Sequence, residues 1–163
     1  MPYQPAPWTS KHTGKTYPTI TQYDQKHLVL MGFFIMLCGI LVVAVRKLPG
    51  SVVKASRKVA GAIMGIISVA YFLWVLNPKR LVWDETAPFH ITDALRVITP
   101  LALGTGNPTA TAISYYWGLF LDPMALLFPD MAFVQDNKVL QEISYWYFHM
   151  AASVVPVVLT FGL

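Results

Sequence analysis

The sequence predicts an all-α protein, a polytopic transmembrane bundle with about five helices, and three observations carry that prediction. Hydrophobic residues make up 55% of the 163-residue chain and charged residues only 12%, far from the balance of a soluble domain. Two windows, Leu28 to Val45 and Val59 to Leu76, run without a single charge, and each is long enough to cross a bilayer as a helix. Phe33-Phe34-Ile35-Met36-Leu37 is apolar at every position, which excludes the alternation of a barrel strand.

Residues 1–27 read as a polar, proline-bearing tail with neither an apolar core nor a small-residue cleavage site, so the first span is expected to act as the insertion signal and remain. Residues 28–163 read as one transmembrane domain with spans at 28–45, 59–76, 88–103, 110–127 and 143–163. The third begins just after Pro88 and carries Asp93 and Arg96, as a buried crossing helix or a re-entrant segment would. In the fourth, Pro123 lacks the N–H its preceding turn needs, so a kink is expected there. Gly61 and Gly65 form a small-xxx-small face on the second span suited to helix association. Trp74, Trp83, Trp117, Tyr145, Trp146 and Tyr147 lie near span ends, as an interfacial belt would.

Arg46, Lys47, Lys54, Arg57 and Lys58 connect the first two spans with no acidic residue among them. The positive-inside rule therefore places that connection in the cytoplasm and the N-terminus outside, against a weaker opposite signal from Lys11, Lys15 and Lys26. Alternation then puts residues 77–87 outside, 104–109 inside and 129–142 outside. The excess of 12 basic over 8 acidic residues sits beside apolar runs and forms no nucleic-acid-binding stripe. Cys38 is the sole cysteine, so there is no intramolecular disulfide or multi-cysteine metal site. Gly104-Thr105-Gly106-Asn107-Pro108 lacks the lysine and spacing of a phosphate loop. No cofactor is indicated, and a metal held by His90, Asp93 and His149 would have only one local pair at i, i+3, so no metal site is expected.

At about 100° per residue from His90, residues Thr92, Asp93 and Arg96 fall on one face of the third segment, opposite Ile91, Ala94, Leu95 and Ile98. Ionisable groups at membrane depth cost roughly 3 kcal/mol each on insertion scales, so that face points to the bundle interior or a wet cavity. Asp93 and Arg96 can pair at i, i+3. The fourth segment aligns Thr111, Tyr115, Gly118 and Asp122; the fifth aligns Glu142, Tyr145, His149, Ala152 and Pro156. His149 is the titratable group deepest in its helix, and a neutral imidazole is the least costly proton acceptor to keep in a membrane.

Pro88-Phe89-His90-Ile91-Thr92-Asp93, Tyr115-Tyr116-Trp117-Gly118-Leu119, Ala125-Leu126-Leu127-Phe128-Pro129-Asp130, then Phe148-His149 and Pro156, occur in the order and spacing of a known pattern. In these the chain resembles the YwaF-like integral membrane family, related to transmembrane protein 164. The resemblance covers about Pro88 to Pro156, and the first two helices match in character alone. It implies six or seven helices, so a chain that stops at Leu163 is expected to be truncated, with a bacterial plasma membrane as its location. For the vertebrate relative it implies a cysteine-dependent acyltransferase acting on ether phospholipids. Thr92 stands at the position of the family's cysteine, and Met124 and Phe128 replace a glutamine and a threonine of the pattern. By fold-level analogy, androgen-induced-gene and related membrane lipid hydrolases use a threonine with a histidine.

The resulting expectation is a membrane lipid acyltransferase or hydrolase with Thr92 as nucleophile, His149 as base, and His90 or Asp93 orienting one of them. Arg96, Tyr115, Asp122 and Tyr145 are the expected substrate-binding residues, and membrane lipid the partner. Two alternatives use the same residues: a transporter or channel-like component with Asp93, Arg96, Asp122 and His149 along a polar route, and a structural or assembly subunit associating with other membrane proteins.

Overall fold

The structure, a computed structural model, describes residues 8–9, 14–17, 22–78, 91–129 and 138–163. The tail contributes a two-residue antiparallel ladder, β1 (Trp8–Thr9) against β2 (Thr16–Tyr17). The other described elements are helices: α1 (Gln25–Lys47), α2 (Gly50–Val75), α3 (Ile91–Thr105), α4 (Pro108–Phe120), α5 (Asp122–Leu127) and α6 (Lys138–Phe161). Among the described residues three helices are long and apolar enough to cross a membrane: α1, α2 and residues Val139–Phe161 of α6. The 23 residues of α1 measure about 35 Å, against roughly 30 Å of hydrocarbon. Over the described residues α3 and α4 have 15 and 13 residues, about 20 Å each, less than that thickness.

Local chemistry moves several boundaries away from the uncharged windows. Asp24 caps α1, its Oδ1 accepting from the His27 N–H at 2.7 Å, so the helix starts at Gln25 and takes in Lys26 and His27. The basic residues between the first two spans form no loop. Pro49, with φ −58°, sits at the N-cap of α2, and Lys54, Arg57 and Lys58 lie within that helix, because long basic side chains are good helix formers. Between α3 and α4 the chain reverses at Gly106, φ +68°, and Asn107 accepts from the Ala110 N–H at 3.0 Å with Pro108 in the first turn. The expected kink in the fourth segment is a full break: α4 stops at Phe120 and α5 restarts at Asp122, because Pro123 cannot donate to the turn before it.

Helix α6 is the hub, packing against α1, α3, α4 and α5, while α2 packs against α3. An apolar groove of about 680 Å³ lies between α1, α2 and α6. Helix α1 is tied to α6 at both ends, by the Lys26–Glu142 ion pair at 2.7 Å and by Arg46 Nε donating to the Phe161 carbonyl at 2.7 Å. The intervening apolar window of α1 is unburied, as suits a helix whose solvent is lipid. The basic start of α2, the α3–α4 turn and the end of α6 share one end of the bundle, lining a common pocket.

Close approaches set the helix spacing. A Cβ at Gly61 would stand 2.6 Å from the Gly104 backbone, so the small-residue face serves α2–α3 packing within the chain; the same probe at Gly65 meets nothing within 4 Å. Pro100 denies the Arg96 carbonyl its helical donor, and Ser68 Oγ of α2 supplies one at 2.6 Å. Pro156 does the same to the Ala152 carbonyl, where Gly118 lies so close that a methyl group there would collide with the oxygen.

Paired substitutions separate the two glycines of α2. Gly61→Ala is expected to lower stability in detergent unfolding by about 1–3 kcal/mol through overpacking. Gly65→Ala, facing open space, should be neutral or stabilising by up to about 1 kcal/mol through helix propensity.

Candidate functional site

The site is organised around α5, a helix of six residues whose carbonyls largely lack intrahelical partners. Three side chains from different elements meet them in succession. Tyr145 of α6 donates its hydroxyl to the Ala125 carbonyl at 2.7 Å, His27 of α1 donates from Nε2 to the Leu126 carbonyl at 2.7 Å, and Gln22 donates from Nε2 to the Leu127 carbonyl at 3.1 Å. His27 is fully buried, and its Nδ1 accepts from the Tyr23 N–H at 2.8 Å, which requires the neutral Nε2–H tautomer. Tyr23 holds φ +63°, a conformation uncommon for a side-chain-bearing residue, while its ring stacks on His27 at 5.5 Å.

At the other end of α5, Asp122 is 1% exposed and His149 of α6 is 7% exposed. His149 Nδ1 lies 2.9 Å from Asp122 Oδ1. With the carboxylate ionised, Nδ1–H is the donor, and the Nε2 lone pair of the neutral ring is left as a base. The Tyr145 ring, 4.4 Å from the imidazole centroid to centroid, limits its rotation. Asp122 Oδ2, Ser114 Oγ and Ser153 Oγ are buried with no hydrogen-bond partner, so three polar groups of α4, α5 and α6 have unused capacity in this part of the bundle.

The polar stripe of α3 lies alongside. Asp93 and Arg96 form a largely buried ion pair, and the Arg96 guanidinium sits 4.5 Å from the Tyr71 ring and 5.0 Å from the Phe148 ring, a cation resting against two rings that themselves meet edge-on at 4.9 Å. The Phe148 ring against Arg96 belongs to the residue before His149, so the two pairs lie on neighbouring stretches of α3 and α6. Helices α3 and α4 pack together on either side of the turn at Gly106–Asn107. Thr92 is half-buried, and among the described residues no hydrogen bond joins it to His149.

Of the residues singled out by sequence, Asp122 and His149 meet directly, and the stripes carrying them pack face to face through Gly118, Ala152 and Pro156. Asp93 and Arg96 pair as expected. Tyr145 instead spends its hydroxyl on a backbone carbonyl, and Tyr115 meets Tyr116 edge-on at 5.3 Å. His90 lies outside the described residues. Trp146, expected in an interfacial belt, is buried with Leu126 and Met150, because it is positioned beside the α5 cap, with its ring 5.8 Å from His27. Helical periodicity gives no role to His27, Gln22 or Tyr71, and Phe148 enters only through the family pattern. The helix cap at Asp24 was the one local signal that could have drawn His27 into α1; the others depend on contacts between distant segments.

His27→Ala removes the donor to a buried carbonyl and leaves a cavity, at an expected cost of roughly 2–4 kcal/mol. Equilibrium unfolding in detergent micelles checks this; a loss below 1 kcal/mol would show that the cap does not hold α5.

Compared with known proteins, residues 22–163 match the model of the TMEM164 family. No curated protein and no solved structure matches the chain.

Proposed function

The chain belongs to the TMEM164 family of membrane proteins, and from that premise we propose that it is a lipid acyltransferase or hydrolase working inside the bundle. The observation that supports this reading is the buried His149–Asp122 hydrogen bond, the arrangement by which a carboxylate orients an imidazole for general-base work. In the proposed reaction His149 Nε2 takes the proton of the Thr92 hydroxyl as the oxygen attacks an ester carbonyl. The ester's alkoxy group leaves with that proton, and an acyl-threonine remains. Water, or the hydroxyl of a second lipid, then attacks the acyl group with its proton passing to His149, which hands it to the departing Thr92 oxygen, restoring the hydroxyl and the neutral imidazole and releasing a fatty acid or a transferred acyl chain. Arg96, 5.0 Å from the ring of Phe148, the residue before His149, supplies fixed positive charge on the α3 side of the site. The residues required come from α3, α5 and α6, and no cofactor enters the scheme.

The transport reading rests on the same charges. It has less support, since among the described residues these charges are already spoken for, Asp93 by Arg96 one turn along α3 and Asp122 by His149 of α6.

Labelling of the folded protein in native membranes with a fluorophosphonate tests the hydroxyl nucleophile. Wild type should carry an adduct on Thr92, Thr92→Ala none, and Asp122→Asn a labelling rate lower by about 10²–10⁴ because the imidazole loses its orienting acceptor. An unlabelled wild type, or labelling unaffected by Asp122→Asn, would overturn the assignment.

We also place the protein in a bacterial plasma membrane with its N-terminus outside. The shared position of Arg46, Lys54, Arg57 and Lys58 at one end supports that orientation. In a Cys38→Ala background, a cysteine at exposed position 51 should react with an impermeant maleimide only after the inner face is opened; reaction in intact cells would reverse the orientation.

A further inference from the structure

The end of the bundle opposite Lys26 and Glu142 has a second concavity. A pocket of about 570 Å³ is formed by the end of α1, the start of α2, the α3–α4 turn and the end of α6. Arg46, Lys54, Arg57 and Lys58 line it, and no acidic side chain does. These are four of the chain's 12 basic residues, gathered in one depression.

Two features set this apart from a loose cytoplasmic cluster. Arg57 Nε is buried with no hydrogen-bond partner, although its guanidinium approaches the turn closely enough that a Cβ at Gly106 would lie 3.5 Å from Nη2. A buried, unpaired guanidinium N–H is costly unless an acceptor arrives. The first turn of α2 also opens into the pocket at Gly50, and its N-cap, Pro49, provides no side-chain acceptor, so free backbone N–H groups add to the positive field.

The pocket continues into apolar space. Lys58, Gly104 and Thr105 line both it and a crevice of about 380 Å³ between α2 and α3. That crevice is walled mainly by Ala62, Val69, Phe72, Val97 and Leu101, with Ser68 and Arg96 at its lining, and floored by Gly65, where nothing stands within 4 Å of a would-be Cβ. A cationic pocket joined to an apolar channel has the two-part chemistry of an amphiphile with an anionic head.

We infer that this end binds an anionic phospholipid of the surrounding bilayer, with Lys54, Arg57 and Lys58 on the phosphate and one acyl chain lying in the α2–α3 crevice. Arginine and lysine are the usual phosphate partners, and the crevice is what selects a lipid over free phosphate. The site does not depend on the reaction proposed at His149.

The test uses the full chain, delipidated in a neutral detergent, with thermal unfolding followed while lipid is added in mixed micelles. Phosphatidylglycerol should raise Tm in a saturable way, phosphatidylcholine should not, and inorganic phosphate should not. Arg57→Gln with Lys58→Gln should weaken the apparent affinity about tenfold or more through loss of charge-assisted hydrogen bonds, whereas Lys47→Gln, exposed and outside the pocket, should leave it within about twofold. Arg57→Lys, which keeps the charge, serves if the double variant fails to fold; it should retain part of the affinity. Equal response to phosphatidylcholine, an equal response to inorganic phosphate, or equal weakening by Lys47→Gln would each overturn the inference.

Discussion

A short helix packed against its neighbours presents carbonyls with no partner inside the helix, and the arrangement of this protein follows from satisfying those of α5. Ala125, Leu126 and Leu127 each receive a side-chain donor, from Tyr145, His27 and Gln22. A buried backbone group left without a partner costs about 1–3 kcal/mol, so the three donors are structural requirements. Together they bring the start of α1, the middle of α6 and the end of α5 to one place. They also locate Asp122 at the opposite end of the same six residues, where it meets His149.

The same constraint recurs at the two prolines inside long helices. Pro100 and Pro156 each strip a carbonyl of its donor, and each is answered across a helix interface: Ser68 bonds to Arg96, and Gly118 lets α4 close on Ala152. The defects therefore coincide with packing contacts. Ser68 also lies within reach of its own Met64 carbonyl, at 2.9 Å, so its single proton is shared between helix and neighbour. Small residues are needed at these crossings because a helix whose backbone must approach another's carbonyl has no room for a side chain.

Charge is divided between two regions with different physics. In the interior, Asp93–Arg96 and Asp122–His149 are close pairs with aromatic rings around Arg96 and His149; low dielectric makes such pairs strong and makes an unmatched oxygen such as Asp122 Oδ2 conspicuous. At the basic end the cations have no acidic counterpart within their pocket. Interior pairing suits a site that orients groups for chemistry, whereas unmatched surface charge suits recognition of an anion from outside the chain.

Composition and uninterrupted apolar windows were sufficient to establish a helical membrane bundle, because bilayer thickness and the need to satisfy backbone groups leave few other solutions. Helical periodicity also placed Asp93 beside Arg96, and put Gly118 with Asp122 and His149 with Pro156 on their respective faces, since those relations lie within single turns or single helices. What periodicity could not reach was which faces meet. Only the tertiary structure joined Asp122 to His149, set Tyr71 and Phe148 around Arg96, and turned His27 from a residue at the edge of a tail into a buried cap. Local sequence governs hydrogen bonds made within a helix; the partners of carbonyls freed by prolines and short helices come from distant segments, and only packing chooses them.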